Sequence, residues 1–86
     1  MYKIEFSNKA YRFLYKSKVE TLPLIKKKIL SLIDDPRPVG CEKLKSTNYY
    51  RVVLQGDFRI VYEINDSEKK VIIVSIGHRK EIYRNF

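Results

Sequence analysis

The chain reads as one α+β domain over residues 1–86: two N-terminal helices packed on one face of a four-stranded, mainly antiparallel sheet, ordered β-α-α-β-β-β with a short C-terminal tail. Three observations predict it. Residues 2–6 alternate apolar and charged, two segments between Ser7 and Pro36 repeat apolar residues at helical spacing, and three apolar runs after Tyr49 are separated by turn-rich pieces. Helices that precede a run of strands cover one face of an antiparallel sheet and leave the other partly open.

The first strand places Tyr2, Ile4 and Phe6 on one side and Lys3 and Glu5 on the other. Ser7 is suited to cap a helix running to about Ser17, with Ala10, Tyr11, Phe13 and Leu14 as its buried stripe. Thr21 stands where it would cap a second helix. Pro23 is tolerated in that helix's first turn, Leu22, Ile25, Ile29, Leu32 and Ile33 form its core face, and Pro36 and Pro38 end it. Lys26, Lys27 and Lys28 span most of a helix circumference and read as a solvated surface. The remaining strands are expected at about 50–54, 58–64 and 71–76, the last apolar on both faces as a central strand would be.

The register of the first hairpin decides where its arginines point, because a one-residue slip turns every side chain to the other face. A two-residue Gly56-Asp57 turn would pair Leu54 with Arg59 and Arg51 with Tyr62, mixing polar and apolar residues on both faces. A three-residue turn, Gln55-Gly56-Asp57, pairs Leu54 with Phe58, Val52 with Ile60 and Tyr50 with Tyr62 on the helix-packed face. Arg51, Val53, Arg59 and Val61 then share the open face. Simple alternation groups Arg79 with Ser75, Ile73 and Val71, and the tail after it is expected to fold back over the sheet.

Composition narrows the function. A net charge of +8 and a pI near 9.7 point to a polyanionic partner, nucleic acid first. Residues 1–45 hold eleven Lys/Arg against five Asp/Glu and residues 46–86 seven against five, so charge alone does not locate a site. No apolar run approaches the ~20 residues of a membrane span, and the N-terminus lacks a signal-peptide core, so a cytoplasmic protein is expected. One cysteine, Cys41, and one histidine, His78, offer neither an internal disulfide nor a zinc ligand set, and neither a metal nor a small-molecule cofactor is expected.

Arg51, Arg59, Arg79, His78, Tyr83 and Arg84 make a phosphate-handling set with an aromatic stacking partner, and Lys43 and Lys45 are further candidates for RNA contact. A guanidinium presents a planar fork to a phosphate and a tyrosine ring stacks on an unstacked base. Cleavage by the RNA's own 2′-OH further requires alignment, stabilisation of the charged phosphorane, and proton transfer at both ends.

Asp35-Pro36-Arg37-Pro38, Glu42-Lys43-Leu44-Lys45, Tyr50-Arg51, Gly56-Asp57-Phe58-Arg59-Ile60-Val61-Tyr62 and Gly77-His78-Arg79-Lys80-Glu81-Ile82-Tyr83-Arg84 resemble, almost end to end, the RelE family of bacterial and archaeal toxins. The resemblance implies metal-independent cleavage of messenger RNA in the ribosomal A site, giving a 2′,3′-cyclic phosphate and a 5′-OH, and neutralisation by a cognate acidic antitoxin. It assigns Arg59 and Arg79 to the transition-state phosphate, Tyr83 to the substrate nucleotide, and Arg51 to a basic position beside the phosphate. Val53 departs from it, standing where a prototype member has a lysine implicated in proton transfer. His78 fits that gap by its ordinary pKa near 6.5, and fits equally as a packing residue. Two other readings share the sequence features: the sister ParE group, which poisons DNA gyrase, and a non-catalytic RNA-binding or complex-forming module.

Overall fold

The computed structural model describes residues 1–82, so Tyr83 and Arg84 lie outside the described residues. Strand β1 (Lys3–Phe6) leads into helix α1 (Asn8–Lys16), followed by α2 (Leu22–Asp34). The chain continues through β2 (Glu42–Lys43), β3 (Tyr49–Gln55), β4 (Phe58–Asn65), β5 (Lys70–His78) and a one-turn helix α3 (Arg79–Ile82). The sheet has five strands in the order β1-β5-β4-β3-β2, not four. The additional strand, β2, is two residues long, too short to show an alternation. Strand β1 pairs in parallel with β5, while the other pairings are antiparallel. The α+β class follows the sequence expectation, and the element order does so apart from β2 and the one-turn α3 at the start of the tail.

Ser7 joins these first elements. Its hydroxyl accepts from Ala10 N–H at 3.0 Å, capping α1, and donates to the Val74 carbonyl at 2.6 Å. Thr21, by contrast, makes no side-chain cap; its backbone is already helical and only its carbonyl serves α2, accepting from Ile25 N–H. Asp35 is extended, the conformation favoured before a proline, and α2 stops at Asp34.

Ala10, Ile25, Ile29 and Leu32 from the helices pack on Val52, Leu54, Ile60, Tyr62, Val71, Ile73 and Ile76 from the sheet. Removing these side chains from water supplies the main stabilisation, about 1.5–3 kcal/mol for each fully buried Ile or Leu. The Tyr62 hydroxyl stays satisfied by donating to the Pro36 carbonyl at 2.7 Å, and burial pushes its pKa up.

The hairpin keeps the expected pairing of Tyr50 with Tyr62 and Val52 with Ile60 by a different turn. Gln55 pairs with Phe58 across a two-residue Gly56-Asp57 turn, and Leu54 is the extra residue of a bulge. Gly56 has φ +55°, a conformation costly for residues with a Cβ. Phe58 therefore does not pair with Leu54. It sits at the end of the sheet, 39% exposed, its ring edge-on to His78 at 5.9 Å. A second irregularity leaves Val74 without a partner, since Val61 pairs with Ser75 and Tyr62 with Ile73. The extra residue moves Ser75 to the face of Val61, away from Ile73 and Val71, so simple alternation fails there.

Candidate nucleic-acid interface

On the face opposite the two long helices, β3 contributes Arg51 and Val53, β4 contributes Arg59 and Val61, and β5 contributes Ser75 and Gly77. Val53 lies directly across from Arg59, and Gly77 flanks Arg59 on its other side. Arg51 pairs with Val61, which makes it the diagonal neighbour of Arg59, roughly 7–8 Å away in an antiparallel ladder. Two residues beyond Gly77, Arg79 opens α3. Helix α3 packs on β4 and β5, with Ile82 only 2% exposed, so part of this face is covered. The tail thus folds back over the sheet as far as it is described.

Each arginine is held by an exchangeable partner. Arg51 Nη2 lies 2.5 Å and Nε 3.2 Å from Glu42 Oε2. Arg59 Nη1 donates to the carbonyls of Gly56 and Phe58, at 2.7 and 3.0 Å. Arg79 Nε lies 3.3 Å from Asp57 Oδ1, while its backbone N–H donates to the Asp57 carbonyl at 2.7 Å. The backbone bond fixes where Arg79 begins, and the carboxylate only rests against its exposed side chain. Exposed ion pairs are worth about 0–1 kcal/mol, so an incoming phosphate can replace these partners.

His78 stands apart from the arginine face. It pairs with Phe58, on the other side of the strand from Gly77. Its Nδ1 accepts from Lys80 N–H at 3.2 Å, and its Nε2 lies 3.6 Å from Asp57 Oδ2. Lys43 also falls away from the set: it pairs with Tyr50, while its neighbour Glu42 pairs with Arg51. It lines a polar cleft of about 280 Å³ with Arg37, Tyr50 and Asp66. Lys45 is exposed after β2. Arg51 and Arg59 thus share one face as diagonal neighbours, Arg79 and His78 meet at the Asp57 carboxylate of the turn that also holds Arg59, and Lys43 and Lys45 lie elsewhere.

Glu42 and Asp57, the acidic partners of Arg51 and Arg79, were not legible as such. Glu42 meets Arg51 only through a strand too short to recognise, and Asp57, which the sequence offers as a partner for Arg51 or Arg59, meets Arg79 instead. A second cluster lies beside Lys43. Arg37 forks onto both oxygens of Asp66, at 3.3 and 2.9 Å, and sits 5.3 Å over the Tyr50 ring, while Tyr2 donates to Asp66 at 2.6 Å. The hydrogen bonds from Arg37 and Tyr2 hold the Asp66 carboxyl at about 2, and the Asp66 bond raises Tyr2. This clamp ties the segment after α2 to the β4–β5 turn. Among the described residues, no group of three or more His, Cys, Asp or Glu side chains gathers in a metal-holding arrangement.

Helices over one face of a small mixed sheet, with arginines on the other, are the frame in which the family comparison shows a toxin of a type II toxin–antitoxin system. Residues 4–83 match the sequence profile of the ParE toxin of the type II toxin–antitoxin system parDE, and the chain belongs to that family, within the wider RelE/ParE group. The intact E. coli RelBE toxin–antitoxin complex contains a similar chain, with TM-score 0.79 and 25% identity over 91% of this chain and 96% of that one. The archaeal RelE–RelB complex from Pyrococcus horikoshii OT3 gives 0.78 and 22% over 93% and 97%. The YoeB/ParE toxin from Agrobacterium tumefaciens gives 0.74 and 18% over 88% and 96%, and these last two likenesses speak to fold alone. No curated protein sequence matches the chain.

Proposed function

We propose that this toxin is a ribosome-dependent endoribonuclease that cuts messenger RNA in the A site. The observation that carries the reading is the placement of Arg59 and Arg79 around the Gly77 end of β5, with Arg51 as the diagonal neighbour of Arg59. A phosphate drawn to Arg59 would meet the Arg79 fork and displace Asp57. The 2′-oxygen attacks phosphorus as its proton leaves, the bond from phosphorus to the 5′-oxygen breaks, and that oxygen takes up a proton. The products are a 2′,3′-cyclic phosphate and a 5′-OH. Arg59 and Arg79 stabilise the charge that grows on the non-bridging oxygens. Tyr83 and Arg84, carried by the resemblance, would hold the nucleotide. His78, held against Asp57 and Lys80 on the far side of the strand, suits support of the turn better than proton transfer.

The partner in this reading is an acidic antitoxin. Two surfaces suit it: the basic face, and an apolar groove of about 850 Å³ between α1, α2 and β1, rimmed by the exposed Tyr15, Val19 and Leu30. The matched family profile, named for ParE, favours a second reading, inhibition of DNA gyrase. Translation of a reporter message and supercoiling by gyrase, run side by side with the purified toxin, separate the two. Arrested translation with unaffected supercoiling is expected; inhibited gyrase with normal translation would replace the nuclease by the gyrase poison.

A further inference from the structure

Beyond the end of β1, the outer edge of β5 borders a cleft of about 370 Å³. Ser75 and Gly77 form its floor, Lys9, Arg12 and Lys16 of α1 line one side, and Glu81 of α3 lines the other. The three cations stand at i, i+3 and i+7, hence on one face of α1, and the helical rise sets the first and last about 10 Å apart along the axis. Arg12 and Lys16 have no ion-pair partner among the described residues.

Ser75 provides an independent observation. The residue is 1% exposed, and its side chain has no hydrogen-bond partner among the described residues. Yet none of the described side-chain polar atoms is both fully occluded and unpaired. The Ser75 hydroxyl therefore keeps its small remaining surface, and the cavity it lines is the cleft. Burying a hydroxyl without a partner costs about 1–3 kcal/mol, a cost an acceptor entering the cleft would relieve. Beside it, a Cβ at Gly77 would meet no atom of the described residues within 4 Å, and Gly77 pairs with Arg59. The floor of the cleft is thus continuous with the arginine face.

We infer that this cleft is a second phosphate-binding position, which takes the backbone of the same single RNA strand next to the phosphate held by Arg59 and Arg79. The inference rests on reading the arginine face as an RNA site. Arg12 and Lys16 against Glu81 leave the cleft positive, and Ser75 donates to a phosphate oxygen. The cleft therefore grips the backbone and fixes the direction in which the strand leaves the cutting position.

The test is binding of a ten-nucleotide 2′-O-methyl RNA, which cannot be cut, followed by fluorescence anisotropy across a salt series. Arg12→Ala/Lys16→Ala should weaken binding about tenfold at low salt and reduce the salt slope by about 1.4, at ~0.7 for each of two lost phosphate contacts. Lys18→Ala/Lys27→Ala removes the same charge from outside the cleft and should weaken binding no more than about twofold. Ser75→Ala, which alters no charge, should weaken it about threefold with the slope unchanged. Equal losses in the two double variants, or no loss in either, would overturn the inference. A parallel cleavage assay on programmed ribosomes keeps the two claims separate. Intact message with the predicted binding pattern removes the nuclease reading and keeps the cleft, whereas normal cutting by the wild type with wild-type RNA binding by Arg12→Ala/Lys16→Ala removes the cleft alone.

Discussion

Arg59 and Arg79 reach the same end of the sheet by different routes, one from within β4 and the other from the first turn after β5. Arg59 is restrained by carbonyls of the hairpin turn, Arg79 by the backbone and carboxylate of Asp57. The fork of Arg79 should act mainly where charge grows in the transition state, so Arg79→Ala should lower single-turnover cleavage on ribosomes about 10²–10³-fold. Ribosome affinity should change far less, since many cations elsewhere share the nonspecific attraction. Arg79→Lys should recover only part of the rate, because an ammonium keeps the charge and loses the fork. A cleavage time course with a matched ribosome-binding measurement checks this, and normal cutting by Arg79→Ala would move the weight to Arg51 and Arg59. At this scale the arginines of the hairpin were legible, because both strands alternate. Arg79 was legible as a candidate but not its face, since the Val74 irregularity breaks the alternation that would have assigned it.

The hairpin shows why elements are easier to read than their joints. A three-residue turn, and a two-residue turn with Leu54 bulged, give the same pairing from Val52 and Ile60 downward, so the sequence pattern identified the faces although the three-residue turn it favoured is not the one that forms. The parallel neighbour of β5 was hidden for a different reason: alternation in residues 2–6 says which side faces the core and nothing about which strand lies alongside. Core packing across β4 carries a stability prediction. Ile60 is fully buried, and Ile60→Ala should cost about 2–5 kcal/mol in urea unfolding with little change in slope. The Arg37–Asp66–Tyr2 clamp carries a pH prediction. Asp66 is depressed from 3.8 to about 2 in the folded protein, so its contribution is complete above about pH 4 and lost as pH falls towards 2. Thermal melts over that window should show a steeper loss of stability for the wild type than for Asp66→Asn; parallel curves would mean that the clamp does not contribute.

Across the whole molecule, 86 residues with a charge of +8 fold as helices on one side of a sheet and arginines on the other. The sequence conveyed the class and the covered face, because each rests on periodicity. It did not convey the cleft beside β5, which needs α1, β5 and α3 to meet. Among the described residues, no helix is long and apolar enough to cross a membrane. The central claim is that this face cuts message on the ribosome, and the most direct measurement is a map of 5′ ends. Purified toxin is added to a defined ribosome–messenger complex, and the message is read by primer extension beside an Arg79→Ala control. New 5′-OH ends inside the A-site codon are expected with wild-type toxin, and a strongly reduced signal with Arg79→Ala. Uncut message at toxin concentrations that arrest growth, or cuts that persist undiminished in Arg79→Ala, would contradict it.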